Sequence, residues 1–356
     1  METIIVPSVK WEWKESSGQK YLFAKGDTLF DLGAAIGHGM AEEIGFTKRM
    51  QKLSLDRVRA LPGARDRLEY LIDGYIKCIP EKYAEEISGI VRGYNEETND
   101  NASYREIAMQ SCLLDIAGRF RTDAVLYKEG CTDLAAVDPD GTVVHGQNYD
   151  SDPVTTPSNA WVLGVTKSEP AFFQLRVGAG IGWPVGKNEC GIAMTVSLIN
   201  TVFDPEPMIP RSCLVRRAFE KSTAAEASKA MTDENGRSPF TYGFVVSDSR
   251  TCIGTQVTPS ERRDRVCTDI LVQTNRYTYP DWEQYLRNPR YSAARQEYAE
   301  ASMRSAYMNG GVTEDALLGI LRDKPRICRD KTVLFMTKNF FGMGNPMDCP
   351  IGKMPL

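Results

Sequence analysis

Three adjacent residues, Gly130-Cys131-Thr132, carry the most chemistry in this sequence, together with the stretch that follows them. That stretch contains Asp140-Gly141 and then His145-Gly146-Gln147-Asn148-Tyr149-Asp150. An Asp-Gly pair between two alternating apolar runs is a hairpin signal. Strands over 131–137 and 142–148 would then lie side by side, and Asp150 would come near Cys131 because cross-strand partners meet at short range. Thiol and carboxylate would share one mouth of a sheet. Glycine before the cysteine would permit a strained peptide that a β-carbon forbids. Such a site can cut its own chain: the thiol attacks the Gly130 carbonyl, a thioester forms, and water releases the upstream segment. Cys131 becomes a new N-terminus, whose α-amine titrates at about 7.7–8.0 and so serves as a general base near neutrality.

The histidine count sharpens this reading. Only His38 and His145 occur among 356 residues. A zinc site built on several histidines is excluded, and no cysteine cluster replaces it. Neither a metal nor a cofactor is called for. A cysteine hydrolase that never cleaves itself would need His145 as its base, and this is kept as the alternative. His145 otherwise reads as a structural strand residue, and His38, in a glycine-rich helix, is given no role. Nine cysteines at wide spacings without a C-x-x-C argue against a disulfide framework. Most should be small buried hydrophobes. A net charge of −4 argues against a nucleic-acid partner. The start of the chain shows no leader pattern, and no window reaches the ~18 apolar residues of a membrane span. The expectation is a cytoplasmic protein with no membrane partner. Oligomeric state is open, with a homo-oligomer among the options.

Elements must position these residues. The first 120 residues read as mostly helical, with a helix over 28–44 capped by Asp27 or Thr28. Its Gly33, Gly37 and Gly39 would let a neighbour approach closely. An amphipathic helix covers 80–93, with Tyr83, Ile87, Ile90 and Val91 on one face. Another covers 103–120. Beyond Gly130 the pattern turns to strands, at 160–166, 171–177, 191–198, 242–247, 251–257 and 332–337. Helices interrupt them at 210–221, 223–231, 292–308 and 313–321. The basic run Glu261-Arg262-Arg263-Asp264-Arg265 reads as a solvated turn. Strands and helices arriving in runs predict an α+β protein with antiparallel sheets.

Gly-Cys-Thr followed by Asp-Gly and Gly-Gln-Asn-Tyr-Asp resembles the nucleophile region of the isopenicillin N acyltransferase-like (acyl-coenzyme A:6-aminopenicillanic acid acyltransferase) family of self-processing cysteine N-terminal-nucleophile hydrolases. Further blocks run in order: Phe30-Asp31-Leu32-Gly33-x-x-x-Gly37, Lys82 to Ile90, Gly180-Ile181-Gly182 through Gly186 to Ala193, Gln273-Thr274-Asn275 and Ile327-Cys328-Arg329. The resemblance implies a four-layer αββα sandwich with two stacked antiparallel sheets. It also implies a single domain, 1–356, processed into an α chain (1–130) and a β chain (131–356) that stay together. Cys131 resembles the nucleophile and Thr132 the hydroxyl that assists processing at Gly130. Asp150 resembles the carboxylate that orients the new ammonium, Asn275 the oxyanion donor, and Arg329 an arginine near the nucleophile. Each has a plainer reading: Asp150 as a hairpin cap, Asn275 as a turn residue, Arg329 as part of a surface charge cluster. Ser292-Ala293-Ala294-Arg295 resembles a family block in which Arg290 is a rival for Arg295, and both also read as ordinary surface arginines.

Departures are visible. The hairpin is one residue longer than in the fungal enzyme, and Ser151 replaces an expected Phe. Thr195 and Ser197 stand where the fungal enzyme has Asn residues and are expected to face substrate. Tyr149 and Trp183 could line an acyl pocket or simply pack in the core. The β-lactam chemistry itself does not carry over. The preferred activity is hydrolysis of a small N-acyl amide through an acyl-Cys131 intermediate. Acyl transfer to an amine, with a coenzyme A thioester as donor, comes second, and a catalytically silent binding protein third.

Overall fold

The computed structural model describes residues 9–120, 130–150, 153–324 apart from 205, 240, 289 and 291, then 326–327 and 332–338. The chain opens with a hairpin that sequence reading passed over. Strands β1 (Lys10–Ser16) and β2 (Gln19–Lys25) are joined at Ser17-Gly18, both at positive φ (51° and 78°). That pair of left-handed residues is what a tight two-residue hairpin requires.

Five helices follow: α1 (Leu29–Gly39), α2 (Ala41–Arg59), α3 (Ala64–Lys77), α4 (Glu81–Thr98) and α5 (Tyr104–Phe120). Thr28 caps α1, its hydroxyl accepting from the Asp31 N–H at 3.1 Å while Asp31 reaches back to the Thr28 N–H at 3.3 Å. Helices α1 and α4 touch backbone to backbone. A β-carbon on Gly33 would lie 2.0 Å from the Glu86 carbonyl oxygen, and one on Gly89 would lie 2.0 Å from that of Phe30. The expected close approach of a neighbour at Gly33 and Gly37 is therefore observed, and Gly89 and Gly93 answer it from α4. Gly89→Val is expected to destabilise the fold by ~3 kcal/mol or more, because backbone cannot step aside as a flexible side chain can. Thermal melting followed by circular dichroism checks this.

From Gly130 onward strands dominate: β3 (Gly130–Val137), β4 (Val143–Asp150), β5 (Asn159–Val165), β6 (Phe172–Val177), β7 (Gly186–Asn188) and β8 (Ala193–Leu198). Helices α6 (Arg211–Ala218) and α7 (Ala224–Ala230) precede β9 (Tyr242–Ser247), β10 (Cys252–Val257), β11 (Arg262–Val266) and β12 (Ile270–Thr274). Helices α8 (Ala293–Met308) and α9 (Glu314–Leu321) and strand β13 (Thr332–Lys338) complete the described elements.

Among the described residues these strands build two sheets. The larger runs β1-β2-β5-β6-β7-β8-β9-β10-β11, the smaller β12-β3-β4-β13. The expectation of purely antiparallel sheets fails at one place. β2 pairs with β5 in parallel, Leu22 opposite Val162, because the long helical excursion between them brings the chain back in the same direction. The run read as a turn at 261–265 instead enters the edge strand β11, which begins at Arg262. Its charged side chains suit an edge, where they discourage pairing with another chain.

The apolar clusters define four layers. Helices α1 to α7 cover the outer face of the large sheet through residues such as Leu32, Ile36, Ile87, Ile90, Val162, Phe172 and Phe244. Helices α8 and α9 cover the outer face of the small sheet through Ala299, Met303, Leu317 and Leu321 against Leu134, Ala136 and Val272. Between the sheets lie Ala135, Val143, Val245, Cys252, Cys267 and Leu271. The protein is an α+β, αββα sandwich. Among the described residues no helix is long and apolar enough to cross a membrane.

Candidate active site

Strand β3 is an inner strand of the small sheet, with β12 on one side and β4 on the other. Its alternation sorts the side chains. Leu134 and Ala136 point to the helix layer and Ala135 points between the sheets. By the same period Cys131 and Asp133 face the large sheet, while Gly130 and Thr132 face α8. The hairpin turn at 138–142 closes with Gly141 at φ 82°, and the register follows from it. Gly130 lies opposite Asp150, Cys131 opposite Tyr149, and Asp133 opposite Gln147. Asp150 thus stands across the ladder from Gly130, one residue past the partner of Cys131. Side chains at adjacent strand positions point to opposite faces, so the register puts this carboxylate at the Gly130 side of the peptide.

Two side chains gather on the peptide atoms of Cys131. Asn275, the first residue past β12, accepts the Cys131 N–H on Oδ1 at 2.8 Å. Arg295, in the first turn of α8, donates Nη2 to the same Oδ1 at 2.8 Å, and Nη1 to the Cys131 carbonyl and to Thr132 Oγ1 at 3.2 Å. Asn275 Nδ2, the donor that family resemblance assigns to an oxyanion, is taken by the Leu198 carbonyl at 2.8 Å. Asn275 is therefore no loose turn residue, and both ends of its amide are used. Cys131, Thr132 and Asn275 are 6%, 1% and 8% exposed, so these members of the contact set are shielded from water.

Gly130 has a different reason from the one expected. It is not among the positive-φ glycines, so left-handed strain does not explain it. A β-carbon there would lie 3.2 Å from Arg295 Nη1 and 3.3 Å from Nη2. Glycine makes room for the guanidinium.

Tyr149, opposite Cys131, packs edge-on to Trp183 with ring centroids 5.8 Å apart. Behind them lie Trp161, Leu175 and Val185, with Phe173 stacked on Trp161 at 5.0 Å. This gives the Cys131 face of the sheet an aromatic, apolar wall.

Other expected site residues fall elsewhere. Arg290 is exposed on the turn before α8, leaving Arg295 as the arginine at the site and not a surface one. Arg329 lies outside the described residues. Thr195 and Ser197 are fully buried between the sheets rather than on a surface open to substrate. They hold a group that sequence reading missed, Asp133. Its Oδ2 accepts from Ser197 Oγ at 2.6 Å, and its Oδ1 is buried without a hydrogen-bond partner among the described residues. Burial pushes this carboxyl up to about 7, against the pull of Ser197, Thr195 and Arg295. The available signal was an acid inside the apolar strand run Leu134-Ala135-Ala136-Val137, two residues from the thiol.

Asp133 makes a pH prediction. Its folded value of about 7 stands above the ~3.9 of a free Asp, so between these the folded state holds a proton that the unfolded chain has released. Stability contributed by Asp133 is complete below ~4 and is lost as pH rises through ~7. Asp133→Asn should flatten the fall in unfolding free energy over that window by up to ~4 kcal/mol, measured as the difference between urea titrations of wild type and variant. An unchanged difference would contradict it.

The histidine alternative does not survive the geometry. His145 pairs with Ala135, four residues along the strand from Cys131. Its ring nitrogens engage Ser247 Oγ at 2.9 Å and Thr195 Oγ1 at 2.8 Å, and burial pushes its pKa down to about 3. It is a neutral, inter-sheet structural residue too far away to take a proton from the thiol.

No family model and no curated protein matches this sequence. Among solved structures, a Caenorhabditis elegans N-acylethanolamine-hydrolyzing acid amidase ortholog aligns at 15% identity and TM-score 0.46, over 58% of this chain and 92% of that one. Two variants of a conjugated bile acid hydrolase from Clostridium perfringens align at 15% and 14% identity, both at TM-score 0.31, over 43% of this chain and 55% of theirs. At these scores each is a partial likeness of shape.

Proposed function

We propose that this chain is a self-processing cysteine amidohydrolase of the isopenicillin N acyltransferase-like kind, cleaved between Gly130 and Cys131. The observation that carries the reading is the Asn275–Arg295 pair closed around the backbone of Cys131. An ordinary core cysteine needs no side chain on its own peptide nitrogen. Here that nitrogen is the atom that cleavage would turn into the catalytic amine.

In the processing step the Cys131 sulfur adds to the Gly130 carbonyl carbon. The C–N bond breaks as the nitrogen takes up the thiol proton, leaving a thioester and a free amine. Water then hydrolyses the thioester to the Gly130 carboxylate and restores the thiol. Once protonated, the α-nitrogen remains in reach of Asn275 Oδ1 as a charge-assisted donor, a stronger bond than the neutral N–H makes. Asp150, opposite Gly130, supplies the negative charge at this end of the strand. In turnover the free α-amine accepts the thiol proton, the sulfur attacks the substrate carbonyl, and the protonated amine delivers the proton to the departing nitrogen. The aromatic wall of Tyr149 and Trp183 favours an apolar acyl group, with hydrolysis to the acid as the outcome.

A denaturing gel tests the first step. The matured protein should show bands near 14 and 25 kDa, the 39.7 kDa chain divided in proportion at residue 130. Amidase activity from chain that remains wholly intact would overturn the proposal.

A further inference from the structure

A pair of sulfurs lies away from Cys131, where the chain leaves the large sheet for the small one. Strands β10 and β11 pair with Ile253 opposite Val266. The next rung is Cys252 opposite Cys267, whose N–H donates to the Cys252 carbonyl at 2.8 Å. Side chains on one rung of an antiparallel pair share a face, with β-carbons about 4.5–5.5 Å apart. Both thiols accordingly enter the same inter-sheet cluster with Ala135, Val143 and Leu271. Neither is in a disulfide.

We propose that Cys252 and Cys267 form a reversible dithiol–disulfide pair, with Cys267 as the attacking sulfur and a low-molecular-weight disulfide as the oxidant. Two features set this rung apart from a pair of inert core thiols. The neighbouring Cys252 thiol, with the Asp269 backbone, holds Cys267 below the ordinary thiol range, whereas its Cys267 partner and burial hold Cys252 above it. Cys267 also sits beside the exposed end of edge strand β11 and is the less enclosed of the two, 5% against 0% exposed. The buried Cys112 and Cys213, by contrast, are both pushed upward by burial.

The Cys267 thiolate attacks one sulfur of glutathione disulfide and expels one glutathione thiolate. Cys252 then attacks the Cys267 sulfur of the mixed disulfide and expels the second glutathione as a thiolate, which takes up the Cys252 proton. Two cysteine sulfurs are oxidised and one external disulfide is reduced to two thiols. A bridge needs β-carbons at about 3.8 Å, closer than an unbridged rung provides. The bond should therefore be easily reduced.

This inference goes beyond the self-processing reading and stands or falls without it. The full chain is incubated with glutathione disulfide, alkylated and mapped by mass spectrometry. Expected is a peptide pair linking 252 to 267, lost on treatment with dithiothreitol, with Cys267 reacting at least ~10-fold faster than Cys112 or Cys213. Cys252→Ser should accumulate the glutathione adduct on Cys267, because the resolving sulfur is gone. Cys267→Ser should give neither product. The linked peptide is read on the wild-type chain, so the result does not depend on either serine variant folding. Both thiols still open to alkylation, or Cys267 bridged to a different cysteine, would overturn the proposal.

Discussion

Cys131→Ala will run as a single band of 39.7 kDa and hydrolyse no amide. The variant keeps the strand, since Cys131 is small, buried and replaced by a residue of lesser volume. What it removes is the sulfur that attacks Gly130, and with it the amine that would act as base. Because both functions come from one residue, the losses should arrive together. Cys131→Ser separates them. Its hydroxyl is a far weaker nucleophile near neutrality, so cleavage should slow by orders of magnitude. Chains that do cleave would still expose an α-amine. Time-resolved gels and intact mass give both readings. Two bands from the alanine variant would remove Cys131 from the processing step altogether.

Asn275→Ala should slow self-cleavage by roughly 10- to 100-fold, whereas Asn275→Asp should stay within ~10-fold of wild type. The amide oxygen of Asn275 accepts from the Cys131 N–H and from Arg295. Alanine leaves both donors without it, the buried Cys131 N–H and the half-buried, charged Arg295. A buried donor left unsatisfied costs about 1–3 kcal/mol, and each ~1.4 kcal/mol is a factor of ten in rate when it falls on the transition state. Aspartate keeps an oxygen acceptor and gains charge toward Arg295, but loses the Nδ2 donor to the Leu198 carbonyl. Rates are read from the decay of the intact band. Equal slowing by both substitutions would mean that the amide's donor end, not its oxygen, matters to cleavage.

How far the site was legible follows from where its residues sit in sequence. Gly130, Cys131, Thr132 and Asp150 share one hairpin, and Asp-Gly turn chemistry together with alternation brings such residues together locally. The face each side chain takes needs the register to a single residue. The change from Asp150 to Tyr149 as partner of Cys131 is one such step, and a one-residue slip exchanges the faces of a strand. Arg295 could not be told from Arg290 by spacing, because both precede or open the same helix. Only the seating of α8 against β3 selected Arg295 and explained Gly130. Thr195 and Ser197, polar residues in an otherwise apolar strand, read as facing substrate. The second sheet closing over them makes them partners of Asp133 instead.

By itself the sequence determined the α+β order of elements, the hairpin carrying the thiol, and a scarcity of histidine that leaves His38 and His145 as the only imidazoles. These follow from local propensity, turn chemistry and composition, which act over a few residues. Tertiary structure alone decided that Asn275 and Arg295 meet at the Cys131 peptide, that His145 is sealed between sheets as a neutral group, and that Asp133 is held near 7. Each of these depends on groups far apart in the chain and on the exclusion of water between packed layers. Burial and long-range contact are properties of the assembled sandwich, and no window of sequence contains them.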